Sequence, residues 1–400
     1  MNRFWTFRYT LLNMTYFVAF CTIHAMAAVY LLANGFSNTE VGVLLAVANI
    51  LSAVFQPVIA GIIDKPGPLT NRRFILISVI IILIGSLILM VSDDNKPVIF
   101  IVYVIIYMIQ FAYQPVMTAL FFEYQKRGCS IYYGLARGLG SASFAVSALF
   151  IGGIVEANGV HILLIVNVVT MILSAIVIYM FKLPVNAGDV GQEAEDKHDD
   201  PDNVAHNNLI SFIKVYPAFA WFLVATICYF FAHNMINDFM IQIIRSLGGG
   251  ETELGYANFL QAILELPVMA VIGVFLKKIR SNTFLMISGV AFFIKILILI
   301  FATNMVMMYI SQSFQMFAYA IFIPAAAYYV SSHMSELDQV KGQAFVTSAI
   351  TVGGVFSNLI SGVILDNLGL MTMLITGTVV CGVGVVIGIF AMREKRGVLD

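Results

Sequence analysis

Long apolar stretches, separated by short polar loops, occupy almost the whole chain. They fall near 9–33, 39–63, 73–92, 97–122, 131–156 and 159–182, and again near 215–244, 252–276, 283–303, 305–332, 342–365 and 369–392. Crossing the ~30 Å hydrocarbon layer takes roughly 20 helical residues, and each stretch reaches about that length. The pattern therefore predicts an all-α membrane protein of twelve transmembrane helices, arranged as six-helix bundles over residues 1–182 and 209–400. Between them, residues 183–208 form the only long polar stretch, with GQEAEDKHDDPDN at its centre. That composition cannot bury a core and predicts an acidic cytoplasmic linker.

The two halves repeat each other. Thr39-Glu40-Val41-Gly42 opens the second span of the first half, and Thr252-Glu253-Leu254-Gly255 opens the second span of the second. The pattern G-x-x-x-acid-x-x-G ends span five as Gly152 to Glu156 to Gly159, and ends span eleven as Gly362 to Asp366 to Gly369. Both pairs lie about 210 residues apart and in the same order. A six-span unit repeated in one orientation resembles the parallel, pseudo-twofold repeat of major-facilitator carriers, which implies a substrate site near the membrane midplane.

Composition excludes the soluble alternative: 60% of residues are hydrophobic and 11% charged, against about 25% charged in an ordinary soluble domain. The net charge of −1 gives no pull toward nucleic acid. Cys21, Cys129, Cys228 and Cys381 are far apart, with neither metal-ligand nor disulfide-framework spacing. The basic start, Met1 to Arg8, leads into a long span without a small-residue cleavage site, so the first stretch reads as a permanent helix. Of the 21 Lys and Arg residues, seventeen fall on the cytoplasmic side if both termini are cytoplasmic, and only Lys96 and Arg245 fall outside. The expected location is a plasma (inner) membrane.

The remaining two basic residues, Arg137 in span five and Lys295 in span nine, lie within the apolar stretches. An ionisable group at mid-bilayer costs at least ~2.5–3.5 kcal/mol, so each needs a partner or a watery cavity. Acidic candidates are Glu123 at the end of span four, Asp238 in span seven and Glu265 in span eight. Polar company comes from His24, Gln56, Gln110, Gln114, His233, Asn234, Asn237, Gln312 and Gln315. Each has a structural alternative. Arg137 is close enough to the cytoplasmic end to snorkel, with Gly134, Gly138 and Ser141 as a packing stripe. Asp238 can be interfacial, Glu123 can belong to the loop with Lys126 and Arg127, and His24 and the amides can be packing or interhelical glue. Lys295 and Glu265 are central, which favours a functional cavity.

Several of these residues carry a family resemblance. The stretch Tyr133-Gly134-Leu-Ala-Arg137-Gly-Leu-Gly140 is similar to the one that holds the essential arginine of oligosaccharide:proton symporters of the lactose permease type. Glu265 and Lys295 stand near that family's substrate glutamate and a basic residue, and Gln315-Met316-Phe317 resembles the stretch carrying its histidine. The loop with Asp64, Lys65, Arg72 and Arg73 resembles the major-facilitator signature between spans two and three, a gating loop. The resemblance implies a monomeric, cofactor-free carrier moving a sugar with a proton by alternating access. It implies substrate contacts at Arg137, Glu265, Glu123, Lys295, Gln315, Gln110 and Gln114. The chain also departs from the pattern: Gln312, Gln315 and Ala318 stand where lactose permease has Lys, His and Glu, and Glu123 comes about one helical turn late. Proton coupling is therefore expected at Glu265 or Asp238. Nucleoside:proton symporters and phenylpropionate-type permeases share the same general pattern. Against an efflux antiporter, Phe144 to Gly153 lacks the proline of the Gly-Pro motif in span five. Against an enzyme, no HExxH, P-loop or G-x-S-x-G is present.

Overall fold

A computed structural model describes residues 3–63, 65, 67–92, 95–182, 212 and 214–393. The linker expected at 183–208 and Asp64 of the signature loop lie outside the described residues. Those residues are helical almost throughout, and ten of the helices are long and apolar enough to cross a membrane. A bent pair adds an eleventh span at the start of the chain. The last candidate, Asp338–Met392, is interrupted at Gly369 (φ 82°, ψ 173°) and so supplies two. The twelve expected spans are thereby present, and most of the sequence-predicted limits fall within a few residues.

Span one is Arg3–Phe20, a π-turn over Cys21–Ala25 and a bent continuation, Ala27–Ala33. Spans two to six are Asn38–Ile63, Asn71–Met90, Lys96–Lys126, Tyr133–Asn158 and His161–Met180. Span seven is Pro217–Asp238 with a short continuation, Met240–Ser246. Span eight is Glu251–Leu276 and span nine Ser281–Ile300. Span ten joins Met305–Ser313 to Tyr319–His333 through a single turn at Phe314–Met316. Spans eleven and twelve share Glu336–Met392. The described residues cluster into two compact units, one within Met1–Glu193 plus Gly249–Ala262 and the other within Ala194–Gly248 plus Ile263–Asp400.

The repeated motifs do the same local work in both places. Glu40 accepts from the Ser37 backbone N–H (2.8 Å) while Ser37 Oγ accepts from the Glu40 N–H (3.1 Å), a reciprocal cap on span two. Glu253 accepts from the Gly250 N–H (2.7 Å) at the start of span eight. The final glycines of the second motif, Gly159 (φ 80°, ψ 170°) and Gly369 (φ 82°, ψ 173°), both take a positive-φ, extended conformation that only glycine adopts readily, and it ends the helix. Prolines repeat as well: Pro57 and Pro267 lie inside spans two and eight, and Pro115 and Pro324 inside spans four and ten. Each removes a backbone donor and loosens its helix locally.

In the first unit, spans one, four and six are tied by buried tyrosines that donate to backbone carbonyls. Tyr9 donates to Met117 and Tyr103 to Ile23, while Tyr124 donates to Phe181 just after span six. Asn167 of span six accepts from Ser86 Oγ of span three (3.2 Å) and donates to Thr22 Oγ1 of span one (3.0 Å). With lipid outside and no water to satisfy polar groups, such bonds fix which helices pack together. Also in this unit, Gly152 packs against the Glu251 carbonyl so closely that any Cβ would overlap it. Glu156, one turn on, accepts from the backbone N–H and hydroxyl of Thr252. The acidic position of the motif is thus a cap on the first turn of span eight.

Candidate functional site

The second unit brings three of the expected residues into one hydrogen-bonded chain. Lys295 projects from the second half of span nine and is fully buried. Its Nζ donates to Gln315 Oε1 at 2.7 Å, and Gln315 Nε2 donates to Glu265 Oε1 at 2.8 Å. An ammonium has no acceptor and a carboxylate no donor, so the charges at each end fix the orientation of the amide between them. Gln315 lies in the turn that interrupts span ten, where the broken helix lets its side chain reach both neighbours. Ser311, one turn earlier, donates to the Lys295 backbone carbonyl at 2.7 Å and pins span ten to span nine. Among the described residues no direct ion pair joins Lys295 and Glu265. Glu265 is half-buried and offers the open end of the chain. His233 stands nearby, stacked on Tyr319 at 5.4 Å and holding Asn237 through a 2.9 Å bond.

The first unit holds a second polar element. The Arg137 guanidinium lies 4.4 Å from the centre of the Phe17 ring and donates to Ser141 Oγ at 3.0 Å. Gly140 makes this possible, since a Cβ there would press to 2.8 Å of the Phe17 ring. Arg137 is half-buried and held over an aromatic face rather than extended to the helix end, a geometry that stabilises a cation within an apolar wall. Near it, His24 in the π-turn is stacked on Phe20 at 4.0 Å and flanked by Tyr107 at 3.9 Å. Gln110 is fully buried beside the His24 ring.

The other expected site residues lie apart from these groups. Glu123 accepts from Asn71 Nδ2 at 3.0 Å and pairs with Arg127 at 3.4 Å, at the end of its helix. Gln114 is half-buried one turn beyond Gln110. Asp238 is the last residue of the main helix of span seven, against Asn358 of span eleven. In the signature loop Lys65 is exposed. Arg72 donates to the carbonyls of Ile178 (3.1 Å) and Tyr179 (3.0 Å) at the end of span six, and Arg73 donates to the Pro68 carbonyl. Sequence reasoning did not pick out Phe17 or Asn358. The aromatic at 17 has no distinguishing pattern, whereas the run Gly353, Gly354, Ser357, Asn358, Ser361 was readable as a polar stripe.

Comparison with known proteins agrees with this architecture. The MFS_1 like family model matches residues 9–376, and the chain belongs to that family. It is a multi-pass membrane transporter of the major facilitator superfamily rather than an enzyme. No curated protein has a sequence that matches the chain. Among solved structures, the nucleoside transporter NupG, in a single-substitution mutant form, is similar with a TM-score of 0.79 and 15% identity. That match covers 97% of this chain and 100% of NupG. A bacterial homologue of the human lysosomal transporter Spinster, inward-facing and unoccupied, matches at a TM-score of 0.69 and 12% identity, covering 98% and 97%. An auto-inhibited peptide transporter of the POT family matches at 0.71 and 9%, covering 98% of each chain.

Proposed function

We propose that the chain takes up a small, uncharged, hydroxyl-bearing solute together with a proton. The Lys295–Gln315–Glu265 chain carries this reading. A carboxyl that is bonded through an amide to a buried ammonium has two distinct states. Ionised, it completes a neutral set with Lys295 and holds the Gln315 amide. Protonated, it becomes a donor itself and competes with Gln315, which releases the amide to a substrate hydroxyl. Proton loading and substrate capture then share one side chain, which is the linkage a symporter needs.

The solute we favour is a nucleoside. Its ribose offers hydroxyls for Gln315 and Glu265, and its base offers an aromatic face. The fold-level likeness to NupG supports this choice. A sugar or oligosaccharide is the second reading, favoured by the likeness of the Arg137 stretch to the oligosaccharide symporters. The charge asymmetry of the loops supports both termini in the cytoplasm of an inner membrane, with residues 183–208 as the link between two six-helix halves.

A pH electrode in lightly buffered, de-energised cells tests the reading. Pulses of nucleosides, sugars and aromatic acids are added in turn. Alkalinisation of the medium with nucleosides alone is expected, and alkalinisation with sugars alone would move the assignment to the second reading. Acidification, or silence from protein shown to be in the membrane, would overturn proton symport.

A further inference from the structure

A second ionisable site lies where spans seven and eleven meet, and the Lys295 chain does not account for it. Asp238 ends the main helix of span seven: Phe239 leaves the helical conformation (φ −114°, ψ 26°) before the helix resumes at Met240. The carboxylate therefore sits at the negative end of a helix dipole. Among the described residues, no lysine, arginine or histidine pairs with it. Its neighbour Asn358 is fully buried; its amide lies against the Asp238 carboxyl, and its Oδ1 has no partner.

The facing helix supplies more oxygen. Gly353 and Gly354 press span eleven onto span seven: a Cβ at Gly353 would lie 2.6 Å from the Ile227 carbonyl, and one at Gly354 2.9 Å from Asn234 Nδ2. Residues four apart share a helix face, so the face that carries these glycines also carries Ser357, Asn358 and Ser361. Ser357 and Ser361 are fully buried, and both hydroxyls lack partners. The Ser357 and Ser361 hydroxyls and Asn358 Oδ1 are thus left open beside a carboxylate that, among the described residues, has no counter-charge.

We propose that Asp238, Asn358, Ser357 and Ser361 form a sodium site. The donor set is all hard oxygen, which suits an alkali or alkaline-earth cation. A single carboxylate balances one positive charge, whereas a divalent ion would leave a net charge in an apolar interior. The ion satisfies Asn358 Oδ1 and both hydroxyls together, and gives Asp238 the counter-charge that no described residue supplies. This site is separate from proton loading at Glu265 and stands whether or not that reading holds.

The test is thermal unfolding of the purified full-length protein in detergent, without substrate or gradient, in NaCl, KCl or choline chloride at equal ionic strength. A saturable rise in Tm of about 2 °C or more is expected with NaCl over choline chloride. It should vanish in Asp238→Asn and shrink in Asn358→Ala. If Asp238→Asn yields no folded protein, Asn358→Ala and Ser361→Ala carry the comparison. Coincident curves in NaCl and choline chloride for the unaltered protein would overturn the site. So would a sodium shift that survives these substitutions, or an equal shift with KCl.

Discussion

Lys295 and Glu265 are joined through one intervening amide, Gln315, and not by a direct ion pair. The spacer matters because a contact pair of opposite charges buried in a membrane protein tends to be locked. An amide between them keeps the charges compensated while leaving each able to change partner.

Replacing Gln315 tests that role. Gln315→Leu removes the donor to Glu265 and the acceptor for Lys295, stranding a buried ammonium; each unmet group costs about 1–3 kcal/mol, more when charged. The expected result is a large loss of uptake together with a lower Tm. Adding Lys295→Met to Gln315→Leu should recover much of the Tm without recovering transport. Additive losses of stability in the double variant would show that the two residues are not coupled.

Arg137 is expected to act through charge and shape together. Arg137→Lys keeps the charge but loses the planar group that lies over Phe17 and reaches Ser141. Uptake should fall at least about tenfold, equivalent to ~1.4 kcal/mol, with unchanged amounts of protein in the membrane. Wild-type uptake by Arg137→Lys would reduce the residue to a packing role.

Asn167 offers a purely structural prediction in the first unit. Asn167→Val removes the bonds to Ser86 and Thr22 that join spans six, three and one. Interhelical bonds of this kind average ~0.6 kcal/mol each, so a loss of about 1–2 kcal/mol is expected. The check is denaturant unfolding in detergent, with substrate affinity of the folded fraction unchanged.

Gly369 separates spans eleven and twelve by adopting φ 82°. Gly369→Ala should cost about 1–3 kcal/mol, because a Cβ strains this positive-φ, extended conformation. Its repeat partner Gly159 has nearly the same φ, so Gly159→Ala should cost a similar amount. Both are read as shifts in Tm.

Most of the fold was readable because lipid imposes a length and an apolarity on each span, and the chain shows both in the stretches and loops. The repeat was readable too, since Glu40 with Glu253 and Gly159 with Gly369 are turn and cap residues whose chemistry is local. The turn inside span ten was not, because Phe314–Met316 has no breaker residue and bends in response to its neighbours. At the site, Glu265, Lys295 and Gln315 stood out as polar groups in apolar surroundings, but that one amide links the other two depends on tertiary packing. Glu123 looked equally promising in sequence and is instead engaged by Asn71 and Arg127, because it lies in the last turn of its helix. Asn358 gained meaning only once Gly353 and Gly354 had brought its helix against Asp238.

The most direct test of the central claim compares wild type with Glu265→Gln in two assays on the same membranes. The account predicts that a nucleoside pulse alkalinises the medium of wild-type cells. Glu265→Gln should abolish that signal while still exchanging labelled for unlabelled nucleoside across the membrane. Alkalinisation of wild-type size in Glu265→Gln would contradict it and remove Glu265 from the path of the proton.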